Sequence, residues 1–155
     1  MIDIRDKRVM VVGTGKSGVG SAVLLERNGA LPVIYDGNDK TDIEAVKASL
    51  QEKLGHETRA VIYTGAFLKK ITDGIELAVL SPGVPVDADF VIYMKERGIH
   101  IWGEIELAYH FARGRVLAIT GTNGKTTTTS LVGQIMQERR GIRVGIPYIP
   151  NDVHT

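Results

Sequence analysis

Apolar and polar positions alternate along the chain in short blocks. Arg8 to Val12 is a continuous β-branched and apolar run closed by Gly13, the pattern of a strand buried on both faces. Ser17 to Asn28 carries Val19, Ala22, Val23 and Leu25 on one side and Glu26 at its edge, which predicts a helix stopped by Gly29. Leu31 to Tyr35 is a second strand, ending at Asp36. Thr41 to Leu54 is a helix in which Thr41 and Glu44 match a capping box, and Gly55 ends it. Arg59 to Tyr63 and Glu76 to Leu80 are strand-like, with no clear period over Ala66 to Ile71 between them. Ser81-Pro82-Gly83 breaks the pattern, and Asp87 is expected to cap a helix running to Arg97 before Gly98. Ile99 to Trp102 is a further strand and Gly103 to Arg113 an amphipathic helix. A new unit starts near Gly114: a strand over Arg115 to Ile119, a polar loop, a helix over Thr126 to Arg139 and a strand over Ile142 to Val144.

Strict alternation of strand and helix argues for an α/β fold, a parallel sheet with helices on both faces. No repeat of solenoid period and no low-complexity segment interrupts it. Of the 155 residues 43% are hydrophobic and 24% charged, the profile of a globular domain. Lys and Arg total 19 against 18 Asp and Glu, so bulk charge gives no reason to expect a nucleic-acid partner, and any phosphate recognition is local. Cysteine is absent, which removes disulfides, thiolate metal sites and a thiol nucleophile, and fits a cytoplasmic protein. The charged start lacks a signal-like apolar stretch, and no run is long enough to span a membrane.

Two segments carry chemistry. Gly13-x-Gly15-x-x-Gly18 follows a strand and opens a helix. Glycines let the backbone turn sharply and approach a ligand, and the helix start offers free N–H groups to an anion. Asp36 ends the next strand, 18 positions after Gly18, where the acid of a dinucleotide enzyme would hold a ribose hydroxyl pair. The motif does not say whether the ligand is NAD or another nucleotide, and a tight packing turn with no ligand is the plainer alternative. The second segment is Thr120 to Thr127, TGTNGKTT. Lys125 supplies charge for β- and γ-phosphates, amides of Asn123 to Thr126 can wrap their oxygens, and the Thr126 hydroxyl can reach Mg²⁺. Ile119 stands where the strict G-x-x-x-x-G-K-[ST] spacing needs glycine, so the loop is a compressed variant that keeps Gly124-Lys125-Thr126.

T-G-T-N-G-K-T-T resembles the nucleotide loop of the Mur ligases and of the folylpolyglutamate synthases. Gly13 to Gly18, Ser81-Pro82-Gly83-Val84 and Gly103-Glu104-Ile105-Glu106-Leu107-Ala108 are similar to segments of the MurD family, the UDP-N-acetylmuramoyl-L-alanine:D-glutamate ligases, in the same order. The resemblance covers residues about 8 to 145. It implies a Rossmann-like UDP-substrate domain over residues 1–103, the beginning of a P-loop ATPase domain over 104–145 and a divergent tail over 146–155. It implies ATP and Mg²⁺ as cofactors, held by Gly121, Thr122, Asn123, Gly124, Lys125, Thr126 and Thr127. Lys125 and Thr126 would be catalytic, with Thr126 at the metal. UDP-N-acetylmuramoyl-L-alanine would meet Gly15, Lys16, Ser17 and Gly18 at its diphosphate, Asp36, Gly37 and Asn38 near uracil, and Ser81, Pro82 and Gly83 at the sugar nucleotide. D-glutamate would be the second substrate of the intact enzyme.

Departures set the limits of that expectation. Where the family continues with a G-G-N-I-G segment, this chain reads Gly145-Ile146-Pro147-Tyr148-Ile149-Pro150-Asn151, and two prolines cannot supply such a glycine loop's geometry or N–H groups. The remaining metal ligands, the modified lysine and the amino-acid-binding domain of the family have no counterpart. The chain is therefore expected to be an N-terminal portion that does not complete the ligase cycle alone. The alternatives are a stand-alone NAD-binding module built on Gly13, Gly15, Gly18 and Asp36, and a non-catalytic remnant of a Mur ligase. Glu104 and Glu106 read as a helix start favoured by the dipole. Trp102, Tyr109 and Phe111 read as inter-domain packing, and His56, His100, His110 and His154 show no metal-ligand spacing.

Overall fold

The computed structural model describes residues 3–112, 117 and 119–140. They fall in two compact units, Met1–Ala112 and Arg113–Thr155. The first unit alternates β1 (Arg8–Val12), α1 (Lys16–Arg27), β2 (Leu31–Asp36), α2 (Ile43–Leu54), β3 (Val61–Thr64), a 3₁₀ turn at Lys69–Thr72, β4 (Ile75–Leu80), α3 (Asp89–Glu96), β5 (His100–Gly103) and α4 (Glu104–Phe111). In the second unit the described regular element is α5 (Lys125–Arg140). The strand expected at Arg115 to Ile119 falls largely outside the described residues. The strand at Ile142 to Val144 and the tail lie wholly outside them.

The five strands form one sheet in the order β3-β2-β1-β4-β5, every pair parallel. The chain winds outward from β1 to β3, then returns to the other side of β1 for β4 and β5, so the winding reverses between β1 and β4. The α/β architecture is the one the alternating pattern predicts. Side chains of β1 go to both faces, as a continuous apolar run requires. Val9 and Val11 join the core with Val19 and Leu25 of α1, Leu50 of α2 and Leu107 of α4. Met10 and Val12 join the opposite core with Ile71, and Val91 and Met94 of α3. Trp102 and Phe111, expected between domains, pack against the first unit's own core, while Tyr109 is 69% exposed.

Most element bounds lie one or two residues from the sequence expectation, and three of the differences concern caps or a strand start. Helix α2 is capped by Asp42, whose carboxylate accepts from the Ala45 N–H at 3.0 Å, so the Thr41–Glu44 capping box does not form. Thr41 instead gives its N–H to the Asn38 carbonyl. Helix α3 starts after Ala88, without a side-chain cap from Asp87. Strand β3 begins at Val61 rather than Arg59 because Glu26 of α1 reaches across. Its carboxylate, only 1% exposed, accepts the Thr58 hydroxyl at 2.7 Å and the Arg59 N–H at 2.8 Å. The glycine stops hold: Gly29, Gly55 and Gly98 take positive φ of 86°, 80° and 76° behind α1, α2 and α3.

Strand β1 and helix α1 meet at a very short distance. Gly13 turns the chain at φ 107°, and a Cβ placed on Gly18 would lie 2.0 Å from the Gly13 carbonyl oxygen. A Cβ on Gly20, one residue beyond Val19, would meet nothing within 4 Å. Gly18→Ala is therefore expected to destabilise the first unit by about 3 kcal/mol or more, the upper end of overpacking, since the obstacle is backbone. Gly20→Ala should stabilise by about 0.5–1 kcal/mol through helix propensity. Urea midpoints of the two variants against the parent check both signs.

Candidate functional site

Loops that follow β1, β2 and β4 gather at the carboxyl end of the sheet. Register places Val12 beside both Tyr35 and Leu80, so Gly13, Asp36 and Ser81 follow three adjacent strand ends. The Gly13 N–H donates to the Tyr35 carbonyl at 2.8 Å and the Ser81 N–H to the Val12 carbonyl at 3.0 Å, fixing the three loops to one another. In open parallel sheets the crevice at the reversal of strand order, here between β1 and β4, is where ligands bind.

The β1–α1 turn leaves backbone amides open at the start of a helix. Gly15 is the N-cap of α1, and no side chain caps the helix. The first intrahelical bond is Val19 N–H to the Gly15 carbonyl, which leaves the Lys16, Ser17 and Gly18 N–H groups without an acceptor among the described residues. A Cβ on Gly15 would meet nothing within 4 Å, so the backbone there is open to close approach. Gly18 divides its duty: it belongs to this first turn, but its lack of a side chain is demanded by the Gly13 carbonyl. The Ser81 hydroxyl oxygen lies 2.7 Å from where a Gly13 Cβ would be, is buried, and has no hydrogen-bond partner among the described residues. Pro82 and Gly83 are exposed beside it.

Asp36 is held tightly. Its Oδ2 accepts the Thr14 N–H at 2.9 Å and the Thr14 hydroxyl at 2.5 Å, and its Oδ1 accepts the Asn38 N–H at 3.0 Å. Burial pushes its pKa up, but the bonds from the Thr14 hydroxyl, the Asn38 N–H and the Thr14 N–H outweigh that and hold it below the ordinary aspartate value. Gly37 and Asn38 continue the loop, and the Asn38 side chain accepts from the Lys40 N–H at 3.0 Å. Neighbouring Tyr35 donates its hydroxyl to the Gly65 carbonyl at 3.0 Å, and its pKa is raised by burial and by the Asp36 charge.

At the end of β5, Glu106 accepts the Gly103 N–H at 2.6 Å, the helix-start role expected of it. Glu104 differs: one of its carboxylate oxygens is buried without a partner among the described residues. Sequence reasoning passed over Glu104 and Thr14. For Thr14 a signal existed, a hydroxyl residue inside the glycine turn facing the acid of the next strand. For Glu104 nothing in the pattern separated it from Glu106.

In the second unit, Thr122 to Thr127 line a concavity of about 250 Å³ at the start of α5. Gly121 and Gly124 take φ of 155° and 77°, and the Lys125 ammonium folds back onto the Gly121 carbonyl at 2.5 Å. The Thr129 hydroxyl donates to the Lys125 carbonyl at 2.7 Å, so part of the threonine run is satisfied within the helix. Among the described residues there is no group of three or more His, Asp or Glu able to hold a metal ion, and no helix long and apolar enough to cross a membrane.

Residues 7–103 match the family described as Mur ligase MurD-like, N-terminal domain, and residues 119–153 match the Mur ligase middle domain. The chain belongs to the MurD-like Mur ligase family. It is 53% identical over 135 residues to the UDP-N-acetylmuramoylalanine–D-glutamate ligase of Lachnospira eligens, covering 87% of this chain and 29% of that one. The corresponding ligase of Lachnoclostridium phytofermentans is 42% identical over 147 residues, 92% of this chain and 32% of its own length. The chain thus spans about a third or less of the curated relatives it matches. Among solved structures, the murein peptide ligase Mpl of Psychrobacter arcticus shares the fold at a TM-score of 0.56 and 21% identity, over 84% of this chain and 26% of that one.

The depressed Asp36 pKa has a signed consequence. A carboxyl whose folded value lies below its unfolded value of about 3.9 adds stability above that pH and loses it as pH falls through the folded value. Urea midpoints measured from about pH 6 down to about pH 2 should show the parent more stable than Asp36→Asn at the upper end, with the gap closing below about pH 4.

Proposed function

We propose that this chain carries the UDP-substrate site and the ATP phosphate loop of an ATP-dependent ligase that joins D-glutamate to UDP-N-acetylmuramoyl-L-alanine in peptidoglycan precursor synthesis. The observation that carries the reading is the uncapped start of α1 at the reversal of strand order. There three N–H groups have no acceptor among the described residues and Gly15 leaves the backbone open to close approach. A diphosphate meets that need: its oxygens accept from the Lys16, Ser17 and Gly18 amides. Gly37 and Asn38, beside Asp36, take the uracil end, and Pro82 and Gly83 leave the sugar side open. The family membership and the names of the relatives support the substrate assignment.

Residues of the second unit fit ATP and Mg²⁺. The concavity is lined by Thr122 to Thr127, and the positive φ of Gly121 and Gly124 permits the turn that leads into α5. Lys125 already holds its charge over the loop and would exchange the Gly121 carbonyl for β- and γ-phosphate oxygens. The Thr126 hydroxyl would ligate Mg²⁺, which when bound neutralises phosphate charge. The chain's own part in the chemistry is positioning and charge stabilisation. Such substrates place the protein in the cytoplasm.

The alternative of an NAD module is disfavoured by Asp36. The acid that would hold a ribose hydroxyl in that case is already engaged by Thr14 and Asn38. Calorimetric titration separates the two readings: UDP and UDP-N-acetylmuramoyl-L-alanine should bind more tightly than NAD, and tighter NAD binding would overturn the assignment. Lys125→Ala should weaken Mg-ATP binding by about tenfold or more, since a charge-assisted bond to phosphate is lost, while leaving UDP binding unchanged.

A further inference from the structure

Thr14 makes two of the three hydrogen bonds that Asp36 receives, both to Oδ2, and the Asn38 N–H makes the third, to Oδ1. A carboxylate offers about four acceptor positions, two on each oxygen. Oδ2 is therefore filled and Oδ1 keeps one position. The backbone N–H of residue 14 would reach Asp36 whatever side chain stood there. The hydroxyl is what fills the last position on Oδ2. Thr14 is half-buried, at the second residue of the glycine turn, so it also ties that turn to the end of β2.

We propose that Thr14 is a specificity-determining positioning residue: its hydroxyl turns Asp36 into a site with a single open acceptor, which takes a ligand group bringing one donor and excludes a ribose diol, which brings two. The inference rests on the reading that the uracil ring of a UDP ligand, whose N3–H is a single donor, lies at Asp36 with the UDP ribose diol elsewhere. Two donors on Oδ2 also keep the carboxylate charged and in one orientation, and they do so before any ligand arrives. Tyr35, the neighbouring titratable group that feels the Asp36 charge, ionises well above the range in which Asp36 titrates.

The test compares the parent with Thr14→Val, which removes the hydroxyl and keeps the shape, and Thr14→Ser, which keeps the hydroxyl. Calorimetry with UDP and with NAD gives the preference ratio, and ¹³C NMR of the Asp36 carboxyl gives its titration midpoint without ligand. Thr14→Val should lower the UDP-over-NAD ratio by about tenfold, the worth of one charge-assisted hydrogen bond, and raise the Asp36 midpoint, while Thr14→Ser stays within about twofold of the parent. An unchanged ratio in a folded Thr14→Val, or an equal loss in Thr14→Ser, would overturn the proposal. So would a parent Asp36 midpoint at or above the ordinary aspartate value of about 3.9, a result obtainable even if no variant folds. A parent that binds no UDP but shows the depressed midpoint and its rise in Thr14→Val would defeat the UDP reading and leave the Thr14–Asp36 tie standing.

Discussion

The first unit depends on one backbone contact, the seating of Gly18 against the Gly13 carbonyl. No side chain fits between them, so helix α1 starts as near to the end of β1 as two backbones allow. That closeness fixes the direction of the helix and therefore of its first N–H groups. Core packing then has a determined geometry to fill. Val19, Ala22 and Leu25 lie on the sheet face that Val9 and Val11 present. A larger residue at either glycine would tilt the helix, and both the core layer and the anion-facing amides would move with it.

Two glycine-bearing turns of different build precede helices in one chain. The turn after β1 presents backbone amides at a helix start without a side-chain cap, and the nearby Asp36 carboxylate takes three hydrogen bonds from Thr14 and Asn38. The loop before α5 works through a lysine charge and a bend made by two glycines of positive φ. Under the proposed function, the first would hold a diphosphate that is bound and released intact, because uniform amide contacts do not favour one bond of the ligand over another. Under the proposed function, the second would place a point charge where charge develops when a terminal phosphoryl group leaves.

Much of the fold was legible because the two periods are physically distinct. Continuous apolar runs such as Arg8 to Val12 can be satisfied only by a strand covered on both faces, and the glycines at 29, 55 and 98 end helices by taking a conformation other residues avoid. What escaped prediction was decided by hydrogen bonds that the pattern of apolar positions does not carry. Arg59 is as strand-like as Val61, but Glu26 claims its N–H. Thr41 and Asp42 are both competent caps, and a turn that engages Thr41 with Asn38 selects Asp42. The site divides in the same way. The glycine turn and the lysine loop are contiguous segments whose spacing carries their chemistry. The Ser81 hydroxyl and the Thr14–Asp36 tie arise only when strand ends are set side by side.

The reach of Glu26 into the start of β3 has a consequence at the sheet's rim. By taking the Arg59 N–H and the Thr58 hydroxyl, the buried carboxylate ends strand pairing early and leaves an outer strand of four residues, Val61–Thr64. The opposite outer strand, His100–Gly103, is equally short. Long, flat outer strands offer a row of unpaired backbone groups on which another chain can continue the sheet. Here both rims are too short to template that growth well, so a carboxylate buried for packing reasons also guards a sheet of otherwise sticky apolar strands against edge-to-edge self-association.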